Sequence, residues 1–153
     1  MNNTLRLQAR GYQVVFEVKQ TQPVEGFLDI RIAFTLDPRL GGITVEAVPI
    51  SVMLADLSRL ITYFEDHITR LEQDPDSESF TFVPLDLQFQ LQAFSGEVRA
   101  PNDGEFTMQF MVNVGLTEEG TRVYVGGESL IYLEELNQFL SSLRQLLAEL
   151  AQP

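Results

Sequence analysis

Two periodicities divide the chain. In one, apolar residues return every three or four positions: Leu54, Leu57, Leu60, Ile61, Phe64, Ile68 and Leu71, and again Leu133, Leu136, Leu140, Leu143, Leu147 and Leu150. That spacing gathers them into a stripe along an α-helix, so it predicts two amphipathic helices of about twenty residues each. The other periodicity is alternation. Leu28, Ile30, Ile32, Phe34 and Leu36 form one such run, and Phe106, Met108, Phe110, Val112 and Val114 another. Successive side chains of a strand point to opposite faces, so alternation predicts strands with one dry and one wet face. Tyr12, Val14, Phe16 and Val18 read as a further strand, with Leu85, Leu87, Phe89 and Leu91 as its counterpart. Short lead strands are expected at Leu5–Ala9 and Phe80–Val83.

The two sets are copies of one unit. Val52-Met53-Leu54-Ala55-Asp56-Leu57 matches Ile131-Tyr132-Leu133-Glu134-Glu135-Leu136, an offset of 79 residues that also carries Leu71 onto Leu150 and Gly41 onto Gly120. Before the helices stand Val48-Pro49 and Gly126-Gly127. Proline cannot donate to a ladder and a glycine pair often marks a bulge, so an interrupted strand is expected in both copies. Met53 and Tyr132 stand where a Ser or Asp cap would be usual. Asp56, Glu134 and Glu135 in the first turns complement the helix dipole instead. The expected fold is a single α+β domain over 1–153, built of tandem strands-then-helix repeats at about 4–72 and 80–151. It should be a mostly antiparallel twisted sheet, open or split into two sub-sheets side by side, with two long helices packed on one face and an acidic loop at 73–79 joining the copies.

Composition narrows the function. With 153 residues and 44% hydrophobic content the chain can bury an ordinary core. Cysteine is absent, which removes disulfides, thiolate metal sites and cysteine nucleophiles. With no apolar leader at the N-terminus and no apolar stretch long enough to span a bilayer, the expected location is cytoplasmic. The net charge of −12 disfavours phosphate backbones and anionic membranes. It would attract a basic protein partner, although acidity also serves solubility alone.

Candidate chemistry is sparse. Phosphate-binding loops, dinucleotide fingerprints, zinc-helix motifs and nucleophile elbows do not occur in the sequence. His67 is the lone histidine and sits beside the apolar stripe of the first helix, the place of a boundary residue. Asp74, Asp76 and Glu78 alternate as calcium ligands can, but Pro75 and the strand-like sequence from Phe80 interrupt the loop pattern such a site needs. Their expected role is a solvated loop, and neither metal nor cofactor is expected. If the alternating apolar residues face the helices, the opposite sheet face presents Gln88, Gln90 and Gln92 with Gln109, Met111 and Asn113. In the first copy it presents Gln13, Val15, Glu17, Asp29, Arg31 and Thr35. Such a face is a candidate partner surface or simply the wet side of the sheet.

The run Leu57-x-x-Leu60…Phe64…Ile68…Leu71, an acidic loop, then Phe80-Thr81-Phe82-Val83-Pro84-Leu85-Asp86-Leu87-Gln88-Phe89-Gln90-Leu91 resembles the WapI-like bacterial immunity proteins. The leucine-rich segment Leu133–Leu150 resembles that family's closing helix; Val83 departs from it, since a Glu usually precedes the Pro. The resemblance implies the α+β fold and a protein that blocks a contact-dependent toxin by direct binding, without enzymatic activity. Its attraction to a basic toxin domain would be carried by Asp74, Asp76, Glu78, Glu118 and Glu119, with Gln88, Gln90 and Gln109 on the sheet face. A structural or regulatory interaction module of the same fold is the alternative, and the oligomeric state is open.

Overall fold

The computed structural model describes residues 4–19 and 25–151. Among these residues eight strands and two long helices follow in order: β1 (Thr4–Gln8), β2 (Tyr12–Val18), β3 (Phe27–Leu36), β4 (Thr44–Glu46), β5 (Ser51–Met53), α1 (Leu54–Gln73), β6 (Phe89–Ala100), β7 (Asp103–Leu116), β8 (Arg122–Tyr132) and α2 (Leu133–Leu150). A short 3-10 turn, Pro38–Leu40, lies between β3 and β4. The fold is α+β, and every strand pairing is antiparallel.

The strands form two sheets. The first runs β1-β2-β3-β4, with β5 also on β3; the second runs β6-β7-β8. β4 faces Ala33–Thr35 and β5 faces Phe27–Asp29, so these two are halves of one broken strand along the edge of β3. The break contains Val48 and Pro49. Val48 turns its N–H away from β3 and donates to the carbonyl of Asn113 in β7 (2.8 Å), tying one sheet to the other. The counterpart, β8, is not interrupted: it runs through Gly126 and Gly127 without losing register with β7. The glycines answer to packing instead. A Cβ on Gly126 would lie 1.8 Å from the Phe110 carbonyl oxygen, and one on Gly127 would meet the Phe34 ring at 3.1 Å.

The ladder rows fix how the copies correspond. Leu5, Phe16 and Ile32 form one row, and Phe82, Leu91 and Phe110 form its equivalent. Val14 and Phe16 therefore match Phe89 and Leu91, two residues from the alignment that alternation alone suggests. Leu85 and Leu87 lie in a turn rather than a strand, and the lead strand expected at Phe80–Val83 shrinks to the single bridge at Phe82.

Alternation does what it should: Tyr12, Val14, Phe16 and Val18, and Phe106, Met108, Phe110 and Val112, are all buried. Side chains from both sheets and both helices join one apolar cluster. Phe16 is its hinge point, edge-on to Phe89 and Phe110 across the gap between sheets and tilted against Phe139 of α2. The helices are not placed over their own strands alone. α1 lies chiefly against β6, and it also sets Phe64 and His67 on Phe106 of β7 and Tyr63 on Phe82 of the segment before β6. α2 reaches β1 as well as β7 and β8. Neither helix has a side-chain cap: Met53 and Tyr132 occupy the N-cap positions without a bond.

Candidate functional site

His67 is fully buried, not a boundary residue. Its Nε2 lies 2.8 Å from the carbonyl of Phe94 and its Nδ1 2.7 Å from Ser79 Oγ. A carbonyl can only accept, so Nε2 carries the proton and Nδ1 accepts from the Ser79 hydroxyl. Burial, with a smaller contribution from the positive charge of Arg70, holds the imidazole below its ordinary pKa; the Phe94 carbonyl partly opposes this. Serine and histidine at this distance are the beginning of a nucleophile–base pair. Here the outer ring nitrogen faces a backbone carbonyl where a catalytic pair would carry a carboxylate, and Ser79, itself buried, bonds through its N–H to Ala93. The group acts as a polar rivet joining α1, the inter-repeat loop and β6. Among the described residues no group of three or more His, Asp or Glu is placed to hold a metal ion.

A second polar junction lies where the chain leaves that loop for β6. Gln88, expected on the open sheet face, is fully buried: its Nε2 donates to the carbonyls of Ile30 (3.0 Å) and Val48 (3.1 Å) in the first half. Asn113, also expected outside, is buried and donates to the Leu87 carbonyl, as does the Tyr124 hydroxyl. Leu87 takes a left-handed conformation, φ 63°, to aim that carbonyl. A leucine there is strained by about 1 kcal/mol or more. Burial raises the Asp86 carboxyl above its ordinary pKa, the Gln88 N–H lowers it, and the charge of Asp56 raises it further. Asp56 accepts from the Leu85 N–H (2.8 Å) and from Arg59, whose guanidinium lies 4.3 Å over the Phe82 ring and donates to the Val83 carbonyl. The first turn of α1 thus pins the segment 82–88. No signal in the sequence marks the buried Gln88 and Asn113 or the Leu85 N–H, because their bonds to Ile30, Val48, Leu87 and Asp56 each span more than twenty residues.

The remaining expected partner residues lie on the surface. Asp74, Asp76 and Glu78 are exposed in the loop after α1, which is held by the Asp76 N–H on the Asp74 carboxylate and by the Gly96 N–H on the Pro75 carbonyl. Glu118 and Glu119 are exposed in the β7–β8 turn. Gly96 pairs with Phe106 and Arg122 with Leu116, so these two acidic groups sit at opposite ends of the second sheet. Ten residues of strand separate them, roughly 30 Å. Gln90 and Gln109 are half-buried on the outer face between them.

Comparison with protein-family models, with curated proteins and with solved structures finds no match.

The charge itself is sharply divided. Residues 1–53 hold five acids (Glu17, Glu25, Asp29, Asp37, Glu46) and five bases (Arg6, Arg10, Lys19, Arg31, Arg39), so the whole net charge of −12 falls on residues 54–153. On the outer face of the first sheet Arg31 pairs with Glu46 (2.7 Å), and Ser51 bonds Asp29 (2.5 Å) beside a depression of 390 Å³. α1 instead exposes Glu65, Asp66 and Glu72 before the acidic loop, with Arg144 answering Glu65 alone. Among the described residues no helix is long and apolar enough to cross a membrane.

Proposed function

We propose that the chain is a non-enzymatic binding protein that neutralises a basic toxin domain by covering it. The observation that carries this reading is the segregation of charge: a neutral first sheet joined to a body that holds all twelve net negative charges. Such asymmetry orients an approaching basic partner before contact and raises its rate of association. The acidic stretch from Glu65 to Glu78 is the proposed point of first approach. The likeness of the Phe80–Leu91 segment to the WapI-like immunity proteins supports the same reading, as does the use of His67 and Ser79 in tying the fold together.

Co-expression with basic toxin domains of contact-dependent systems tests the proposal. The expected result is survival of the host and a complex that elutes as one species on a sizing column. Growth arrest with the two proteins eluting apart overturns it. Reversing Asp74, Asp76 and Glu78 to lysine should slow association at low salt by about tenfold, the scale of electrostatic steering. An unchanged on-rate would remove the loop from that role.

A further inference from the structure

β8 borders the second sheet, with β7 on one side and an open edge on the other. The edge is covered at one point: Arg10, from the loop between β1 and β2, donates its N–H to the Leu130 carbonyl (2.8 Å). In an antiparallel strand every second residue directs both backbone groups to the same side. Glu128, Gly126, Tyr124 and Arg122 therefore aim theirs where Leu130 does. Among the described residues no backbone hydrogen bond reaches them there. An unpaired edge of this length is a template for another strand.

We propose that the occupant is β8 of a second copy of this chain, antiparallel about a two-fold axis through Val125. Residues that aim at the edge must meet residues that do the same, which restricts the register. Centred on Val125, the pairing sets Tyr124 opposite Gly126 and Arg122 opposite Glu128, and symmetry repeats each pair. Both charges of the strand are then answered by the opposite charge, and the Leu130 carbonyl keeps its bond to Arg10. Centred on Gly126 the pairing would set Arg122 against Leu130, whose carbonyl is taken, and Tyr124 against Glu128. Val123 and Val125, each about 40% exposed, lie beside the axis and cover one another across it. Net repulsion between copies is screened over about 8 Å at physiological salt, while the strand carries one charge of each sign. The product is a continuous sheet, β6-β7-β8 joined to β8-β7-β6.

Sedimentation velocity over a micromolar to millimolar range tests this with four samples. The wild type should sediment as a dimer that dissociates on dilution. Arg122→Glu alone, or Glu128→Arg alone, sets like charges opposite each other twice and should weaken the dimer about tenfold. An equimolar mixture of those two variants should restore it, because each then supplies the charge the other lacks. Both side chains are exposed, and an unchanged melting temperature verifies that each variant is folded. A wild type monomeric throughout, single variants that dimerise as well as wild type, or a mixture that stays monomeric would each overturn the proposal.

Discussion

His67 and Leu146 occupy the same place in the two halves, 79 residues apart, and both are fully buried. The leucine needs nothing but packing, whereas the histidine must satisfy two nitrogens, which it does with Ser79 and Phe94. His67→Leu should cost about 1–3 kcal/mol at neutral pH by stranding those partners. The histidine also sets a pH dependence. Its folded pKa lies below the unfolded value of about 6.5, so the unfolded chain binds the proton first as pH falls. Its contribution is complete above pH 6.5 or so and is lost below it. Urea midpoints should drop as pH falls below about 6.5 in the wild type and stay flatter in His67→Leu. Asp86 has the opposite sign: its folded carboxyl takes the proton first, so it costs stability at neutral pH and less as pH falls. Asp86→Asn should raise the neutral-pH midpoint, with the gain shrinking under acid; a loss at neutral pH would show that the carboxylate is a stabilising acceptor there.

Among the elements, both helices and the alternating strands were legible because their periodicity is local and each turns one face to the core. The segment 80–88 was not. Leu85 and Leu87 continue the alternation of Phe89 and Leu91, yet they turn away because Asp56 holds the Leu85 N–H and the Leu87 carbonyl serves Asn113 and Tyr124. Gln88 was misplaced for the same reason: its partners, Ile30 and Val48, lie in the other half. The acidic loop needed no such information, being exposed and short-range. Asp56→Ala should release the segment selectively, raising amide exchange across residues 82–88 while lowering global stability by about 1–3 kcal/mol. Exchange rising equally in β2 and β3 would mean that the segment is not an independent unit.

At the scale of the molecule, the two-sheet form of the expected fold is the one observed, and the Val48 N–H in the break between β4 and β5 ties the first sheet to β7 of the second. The charge division belongs to this scale too. A body that holds all the surplus acid repels itself, so raising salt should raise the melting temperature by a few degrees before other salt effects intervene. A fall would show that ion pairs such as Arg99 with Asp103 and Glu105 outweigh the repulsion.

The placement of α1 on β6 and of α2 on β1 bears on how the protein is made. A nascent chain that has exposed only β1 to β5 lacks Phe89 and Phe110 of the second sheet and Phe139 of α2, the rings that pack on Phe16. α1 likewise waits for β6 before its stripe of leucines has anywhere to go. The first half therefore leaves the ribosome with its apolar face open, and the shared core closes only after the second half has followed.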